Sequence, residues 1–279
     1  MSAPRWQVLL LDGGRWLLLV VVALVLNFPV LATLLTSLKT TADISASPPV
    51  WLSEPTLEHY RTVLTDPSLD FKRYLVNSTG IALGGTALAL ALSFPAAYAI
   101  VRCGIGGRSV LPLVTNLRAI PLIIFAIPFY LMYQLFGLLD TRTGLALIAC
   151  IVNLPLALIL FVGFLQDLPV ELEEAARVDG AGTLSVLRYV VLPLAQPIFL
   201  AIAILSFIYA WNEFLFGLIL TTKAAVPVTV GATFFITSWG VKWGATAAAM
   251  ILSVLPPLLL GLFAYRYLGR VISAGALKG

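Results

Sequence analysis

Long apolar stretches separated by shorter polar segments run along the whole of this chain. Six of the stretches are long enough to cross a bilayer as helices, at residues 16–38, 74–101, 110–138, 144–165, 194–220 and 243–268. A crossing helix needs about 20 apolar residues, and backbone groups cannot stay unpaired in lipid, so uniformly apolar runs of this length are predicted to be helical. The pattern predicts an all-α integral membrane protein with six transmembrane helices in one domain, residues 1–279.

Prolines lie inside several of these stretches. The third contains Pro112, Pro121 and Pro128, and the sixth contains Pro256-Pro257. Prolines are tolerated in membrane helices where neighbouring helices or cavities satisfy the backbone, and they mark kinks. Each stretch is therefore predicted to be one span, kinked where proline occurs.

The composition agrees with a membrane protein and excludes several other classes. Of the 279 residues, 60% are hydrophobic and only 11% are charged, which is less charge than a soluble domain needs to cover its surface. The net charge of +4 comes from basic residues scattered through the loops, which is typical of topology signals and not of a nucleic-acid surface. The two cysteines and one histidine show no metal-ligand spacing, so neither a metal nor a cofactor is predicted.

The basic residues also favour a cytoplasmic location for both termini. The hinge between the second and third stretches, Arg102–Arg108, is short and carries two arginines. Short loops rich in Lys and Arg tend to remain in the cytoplasm. With six spans, both termini then lie on the same side as this hinge.

The segment between the fourth and fifth stretches, residues 167–192, is polar and is predicted to contain a short helix. Asp167 or a neighbour is predicted to cap its start, and Gly180 to end it. Glu173 and Arg177 are four residues apart and can pair on one face. On these grounds alone the helix could lie on the membrane surface, form a capped loop or dock on a protein. Its acidic character favours a protein partner with basic residues over an anionic membrane surface.

The residues of this segment resemble the EAA signature of ABC importer permeases. Glu174-Ala175-Ala176 is followed by Asp179-Gly180-Ala181 and then by Val190-x-Leu192-Pro193. Val190 stands where the signature usually has isoleucine. The position of the segment, between two spans, is also that of the signature.

Three other pieces resemble one branch of that family, the second membrane subunit of maltose-type carbohydrate importers. They are Arg118-Ala119-Ile120-Pro121 with Ile127-Pro128 in the third stretch, Trp211-Asn212-Glu213-Phe214 in the fifth, and the tail Ala274-Gly275-Ala276-Leu277-Lys278-Gly279. The resemblance extends from Trp16 to the end of the chain and is weakest in residues 39–73.

The resemblance implies a type I ABC importer permease fold with a cytoplasmic coupling helix, located in the cytoplasmic (inner) membrane. It implies four kinds of partner: a dimer of cytoplasmic ATP-binding subunits, a second permease subunit, an extracytoplasmic solute-binding protein and a sugar. The residues that it places at the contact with the ATPase are Glu174, Ala175, Ala176, Asp179, Gly180, Leu192 and Pro193. The chain has no G-x-x-x-x-G-K-[ST] sequence to hold the phosphates of ATP, so it is predicted to be a transport subunit and not an enzyme.

Three polar residues inside the apolar stretches, Asn212, Glu213 and Arg118, are candidates for the path of the solute. A charge at the bilayer centre costs roughly 2.5–3.5 kcal/mol, so Glu213 is expected to face a cavity, a partner helix or water. It can line the path or make a structural bond, and Arg118 can contact solute or extend toward the headgroups.

Two alternatives remain for the chain as a whole. One is a permease of the same superfamily with a non-sugar solute. The other is a stand-alone secondary transporter, for which an ion-coupling site and a repeat between the halves would be the expected signs. The sequence shows neither sign.

Overall fold

The computed structural model describes residues 5–51, 53–237 and 240–276, so residues 277–279 of the tail lie outside the described part of the chain. The helices are α1 (Arg5–Ser37), α2 (Thr41–Ile44), α3 (Glu58–Thr65), α4 (Phe71–Cys103), α5 (Val110–Leu117), α6 (Ala126–Leu135), α7 (Arg142–Asp167), α8 (Glu171–Val178), α9 (Thr183–Val186), α10 (Leu192–Leu194), α11 (Gln196–Trp211), α12 (Leu215–Leu220), α13 (Val228–Gly231) and α14 (Trp243–Ala276). Two 3-10 turns, Leu122–Phe125 and Ala232–Phe235, a π-helical segment, Leu187–Val191, and a small antiparallel ribbon of β1 (Ile236–Thr237) and β2 (Gly240–Val241) complete the elements. The predicted helical membrane class is confirmed.

Residue contacts divide the chain into two compact units. One consists of Met1–Leu69 with Phe234–Leu252, and the other of Asp70–Thr233 with Ser253–Gly279. In the first unit, the most apolar window of α1 is entirely unburied. Apolar side chains along a whole helix can remain exposed in this way when lipid or another chain surrounds them.

Among the described residues, four helices are long and apolar enough to cross a membrane: Gly13–Ser37, Phe71–Cys103, Arg142–Asp167 and Trp243–Ala264. Two further pairs of helices pass the same test together but are bent by more than 40°. The total reaches the predicted six when each bent pair counts as one span.

The third predicted span, residues 110–138, is not a kinked continuous helix. The helical pieces Val110–Leu117 and Leu122–Leu135 meet at an angle of 99°. Pro121 lies at the break with φ −59° and ψ 125°, an extended conformation that ends the helix before it. Proline has no N–H to continue a helix and also disfavours helical geometry in the residue before it. The sequence predicted a kink here, and the actual bend between the two helical pieces is much larger.

The fifth predicted span, residues 194–220, is also broken. The stretch Thr183–Leu194 meets α11 at 74°, with Pro197 in the first turn of α11. At its other end α11 stops at Trp211, and the chain resumes a helical course only at Leu215. This second break places Asn212 and Glu213 between two helices instead of inside one.

The second unit is organised around the close packing of α4 against α7. Gly85 is buried where the two helices meet. A Cβ atom there would lie 3.0 Å from the carbonyl oxygen of Ala146 and 3.2 Å from the nitrogen of Cys150. Glycine thus lets the two backbones approach more closely than any other residue would allow.

An aromatic core fills the Cys103 end of this helix pair. Phe94 of α4, Phe161 of α7 and Phe199 of α11 have ring centroids 4.6–5.2 Å apart in edge or tilted arrangements. Aromatic pairs favour such geometries. This core holds the end of α4 from which Tyr98 and Arg102 extend toward α8.

Candidate functional site

The segment with the EAA-like residues forms a short helix, α8, directly after the long helix α7. Asp167 is the last residue of α7 and does not cap α8, whose N-cap position is Val170 without a side-chain hydrogen bond. At the other end the prediction is confirmed, because Gly180 has φ +88° and ends the helix. Its N–H donates to the carbonyl of Arg177, and the N–H of Ala181 donates to Ala176, both at 3.0 Å. This pair of bonds is a Schellman motif, which needs a left-handed residue and so favours glycine.

The residues predicted to contact an ATPase are for the most part on the surface of this segment. Glu174, Ala175, Asp179, Gly180, Leu192 and Pro193 are exposed, and Ala176 is half-buried. Large apolar side chains not among the predicted contact residues are exposed here as well. Val178 is 88% exposed, Leu184 is 77% exposed and Tyr189 is 71% exposed. Exposed apolar side chains in a segment rich in charge indicate a surface that another protein covers.

Glu173 points the other way, into the protein, and its side chain is fully buried. Its Oε1 atom accepts a hydrogen bond from Nε of Arg102 at 2.6 Å, and its Oε2 atom accepts one from the Tyr98 hydroxyl at 2.7 Å. The pairing with Arg177 predicted from the spacing is present but longer, at 3.6 Å, and Arg177 is 44% exposed. The carboxylate therefore has its closest bonds to α4, not to its own helix.

Two further bonds complete this group. The second guanidinium nitrogen of Arg102 donates to the carbonyl of Leu168 at 2.8 Å, and Arg177 donates to the Tyr98 hydroxyl at 3.2 Å. A buried charge is stable only when a partner charge and hydrogen bonds compensate its loss of water. Sequence reasoning missed Tyr98 and Arg102 as partners because they lie about 70 residues away along the chain and spacing on one helix cannot reveal them.

The second unit also contains a partly open cavity of about 450 Å³. Its lining is largely apolar and aromatic, with Arg118, Asn153 and Tyr209 as polar members. The guanidinium carbon of Arg118 lies 5.8 Å from the centre of the Tyr209 ring, a cation–π arrangement. Of the three candidate path residues, Arg118 is the one on the cavity wall.

Glu213 and Asn212 have other surroundings. The Glu213 carboxylate accepts hydrogen bonds from the N–H groups of Phe216 at 3.1 Å and Gly217 at 3.2 Å. It thereby caps the start of α12, where free N–H groups and the helix dipole favour a negative charge. Asn212 is exposed and donates to the carbonyl of Ile208, within its own helix. Phe216 links the two features, because its N–H binds Glu213 and its side chain lines the cavity.

A second polar group lies at the other end of α4, around the loop 222–226. The Asp140 carboxylate accepts hydrogen bonds from the N–H groups of four consecutive loop residues, Thr222 to Ala225, at 2.8–3.3 Å. Burial alone would raise the pKa of Asp140, but these backbone hydrogen bonds together hold its pKa below the ordinary value. Asn77 of α4 donates to the carbonyls of Ala224 and Val226 in the same loop. No pattern in the sequence predicted this group, because Asp140 and the loop lie more than 80 residues apart.

Metal binding is not indicated by the side chains. Within residues 5–51, 53–237 and 240–276, no three His, Cys, Asp or Glu side chains lie where they could hold a metal ion together.

Residues 89–273 match the protein family described as the inner membrane component of binding-protein-dependent transport systems. The permease protein MalG of the trehalose/maltose transport system of Thermococcus litoralis is 34% identical over 276 residues, covering 98% of this chain and 97% of that protein. The permease protein SmoH of the sulfoquinovosyl glycerol transport system of Agrobacterium fabrum is 32% identical over 255 residues, covering 90% of this chain and 89% of that protein. Among solved structures, a bacterial ABC transporter involved in the import of the acidic polysaccharide alginate contains a chain with a TM-score of 0.76 and 24% identity, covering 96% of this chain and 99% of that one. This likeness confirms the predicted ABC importer permease fold.

Proposed function

This chain belongs to the family of inner membrane components of binding-protein-dependent transport systems, and we propose that it carries a sugar or sugar derivative across the cytoplasmic membrane as one permease subunit of an ATP-driven importer. The relatives support the solute class, because a trehalose/maltose system and a sulfoquinovosyl glycerol system both transport glycosides. Family membership argues against a stand-alone secondary transporter, and the names of these relatives argue against a non-sugar solute.

The observation that carries the coupling part of the proposal is the two-sided surface of α8. One side holds the buried Glu173, and the other exposes Glu174, Ala175 and Val178. We assign the exposed side to a cytoplasmic ATP-binding subunit, where small residues allow close approach and Glu174 supplies a charge for a basic partner. Asp179 and Gly180 end the helix, and Leu192 and Pro193 lead into the next span. The assembly would comprise a dimer of ATPase subunits, this chain, a second permease subunit and an external solute-binding protein.

The cavity of about 450 Å³ supports a path for the solute through the second unit. Ligand pockets commonly have volumes of about 300–1,000 Å³, with apolar walls and a few polar groups that orient the ligand. Arg118 can donate hydrogen bonds to sugar hydroxyls, and the aromatic walls can pack against the faces of sugar rings. The Asn153 amide donates instead to the carbonyl of Ala149 in its own helix. Glu213 then acts indirectly, because it holds the start of α12 and so the position of Phe216 on the cavity wall. Asn212 remains a weaker candidate for this path because its amide binds its own helix.

A coupling helix that meets a cytoplasmic ATPase places α8 and the Arg102–Arg108 hinge in the cytoplasm, and both termini with them. Residues 1–279 would act as a single membrane domain. The energy of transport would come from the ATPase subunits, since the sequence has no phosphate-binding loop for ATP.

Purification of the assembled importer and its reconstitution into vesicles test this proposal. Vesicles loaded with ATP should accumulate a labelled sugar that the binding protein retains, and trehalose and maltose are the first probes. Uptake by vesicles that contain this chain alone would instead support a stand-alone transporter. Retention of a non-sugar solute by the binding protein, with no sugar retained, would overturn the solute class.

A pair of glycine variants tests the coupling role. Gly180→Leu should abolish uptake while the chain remains in the membrane, because a side chain at φ +88° distorts the end of α8. Gly163→Leu is the matched control, since a side chain at that position in α7 meets open space and no positive φ is required. Normal uptake by Gly180→Leu would contradict the coupling role.

A further inference from the structure

The inward side of α8 presents a feature that docking of its outward side does not explain. Glu173 is fully buried and bonded to α4, a helix that the chain does not connect to α8 directly. We propose that the Glu173 carboxylate is the joint through which displacement of α8 is passed to the Cys103 end of α4. Glu173 is then a positioning residue of the importer, and this inference rests on the proposed function.

The bonds of Glu173 define where α8 and α4 are joined. Tyr98 and Arg102 are four residues apart on α4, so they extend from the same face one turn apart. Each binds a different oxygen of the carboxylate, at 2.7 and 2.6 Å. Arg102 also holds the carbonyl of Leu168, in the connection that leads from α7 into α8. The last turns of α4 are thus bonded both to α8 and to the chain that precedes it.

The kind of contact decides whether motion is transmitted. Apolar side chains can slide past one another with little change in energy, whereas charge-assisted hydrogen bonds are short and directional. Ala176 of α8 is half-buried and packs against the apolar core that contains Tyr98 of α4 and Val186 of α9. These apolar contacts keep α8 close to α4, and the directional bonds of the carboxylate would pass a push on the outward side of α8 to α4. From there the whole length of α4 lies against α7, with the close approach at Gly85.

This joint adds a connection that the covalent chain lacks. The chain links α8 to α7 through Leu168–Val170 and to α11 through α9, the π-helical segment Leu187–Val191 and α10. Neither connection includes α4. With Glu173, movement of one short helix acts on three long helices at once, so they can move as a group when the ATPase closes.

A native reporter lies beside the joint. Cys103 is the last residue of α4, next to Arg102, and is an exposed free thiol, whereas Cys150 is buried. The assembled complex is purified in lipid nanodiscs, and the alkylation rate of Cys103 by a maleimide is measured by mass spectrometry of its peptide. The rates are compared without nucleotide and after trapping with ATP and vanadate. Cys150 in the same digest serves as an internal reference.

We expect nucleotide trapping to change the Cys103 rate in the wild-type complex. In Glu173→Gln, which keeps the side-chain shape but removes the charge, this change should shrink by about 2- to 30-fold, the range that residues on coupling networks show. ATP hydrolysis should continue in the variant, while the sugar imported per ATP falls. Tyr98→Phe removes one hydroxyl from the same joint and keeps the aromatic ring. It should show a smaller loss of the Cys103 response and of the sugar imported per ATP.

The matched control is Asp70→Asn at the opposite end of α4. Asp70 forms an ion pair with Arg73 at 3.4 Å, and both side chains are partly exposed, so the loss of this pair should leave the Cys103 response intact. A Cys103 response in Glu173→Gln equal to that of the wild type overturns the inference, as does the absence of any response in the wild-type complex. If Glu173→Gln does not assemble, Tyr98→Phe decides by the same criterion. Failure of the wild-type complex to import any sugar would instead refute the proposed function.

Discussion

The two ends of α4 are held by polar contacts of different kinds. At the Cys103 end, the fully buried Glu173 binds the side chains of Tyr98 and Arg102, so one helix is joined to another. At the Phe71 end, the partly exposed Asp140 binds the backbone of the loop 222–225, and Asn77 binds the same loop. The Glu173 carboxylate fixes the relative position of two helices. At the Phe71 end the Asp140 carboxylate fixes the shape of a loop, and Asn77, which also accepts a hydrogen bond from Arg142 of α7, attaches that loop to α4.

The two ends of α4 differ in whether water can replace a polar partner that is lost. Three of the four loop N–H groups near Asp140, those of Thr222 to Ala224, can turn to water because these residues are exposed, whereas Ala225 is buried. Glu173 has no such alternative, since water does not reach it. Because a buried charge cannot be rehydrated, the loss of one of its partners costs much more free energy than the loss of a partner of an exposed charge. The comparison therefore predicts unequal penalties for equivalent changes at the two ends.

The largest effect is expected for Arg102→Ala. This change leaves the Glu173 charge buried, with Arg177 at 3.6 Å as its remaining cationic partner. Removal of one member of a buried ion pair typically reduces the free energy of unfolding by about 3–5 kcal/mol. Thermal denaturation of the purified complex, followed by the loss of monodisperse protein, measures the difference from wild type.

Arg73→Ala provides the comparison at the other end of α4. Its ion pair with Asp70 has side chains that are 40% and 49% exposed. Exposed pairs contribute about 0–1 kcal/mol, so this variant should denature close to the wild-type temperature. Equal losses of thermal stability in Arg73→Ala and Arg102→Ala would show that the two ends of α4 do not differ in this way.

A smaller effect is expected for Gly85→Ala, in the stretch of α4 between the two ends. The added methyl would press on the backbone of α7 at Ala146 and Cys150, which cannot rotate away. Overpacking of this kind costs about 1–3 kcal/mol. In Gly80→Ala the added methyl meets open space on the same helix, so that variant should be as stable as the wild type or slightly more so. Thermal denaturation of the two variants side by side measures the difference, and equal stability would show that close backbone approach is not required.

The main architecture could be predicted from the sequence because apolar length reports directly on membrane helices. The stretches 74–101 and 144–165 correspond to α4 and α7 within a few residues. The end of α8 at Gly180 could also be predicted, since a left-handed helix end favours glycine. These features depend on neighbours in the sequence or on the lipid, so local pattern contains the information.

The breaks and the polar joints could not be predicted in the same way. Pro121 was identified, yet a proline inside an apolar run does not reveal whether the helix kinks or turns by 99°. Glu213 was expected to face a cavity or a neighbour, and the signal for its capping of α12 was hidden by the uniformly apolar residues that follow. Glu173 and Arg102 are brought together by the packing of α4 and α7, which no periodicity on either helix encodes.

A still smaller effect is expected for Asp140→Ala. The loop loses the carboxylate that accepts four N–H groups, but water can replace it at the exposed residues Thr222 to Ala224, so we expect the free energy of unfolding to fall by about 1–2 kcal/mol. Hydrogen exchange of the amides of residues 222–225 should accelerate, while the amides of α8 should be unaffected. Asp140→Asn retains an accepting oxygen, so its exchange rates at residues 222–225 should lie between those of Asp140→Ala and the wild type. Faster exchange in α8 would mean that the two ends of α4 are not held independently.

The smallest effect is expected for the pH dependence of hydrogen exchange in the same loop. Because its hydrogen bonds hold the pKa of Asp140 below its ordinary value of 3.8, the folded form favours the charged carboxylate. The stabilisation is therefore fully present above that ordinary pKa and is lost as the pH falls through the lowered pKa of the folded state. Exchange at residues 222–225, divided by the intrinsic rate at each pH, should stay constant from pH 7 to about 5 and rise only in strong acid, below the ordinary carboxyl pKa. Asp140→Asn should show no such rise, and a rise beginning near neutral pH in the wild type would contradict the role given to this carboxylate.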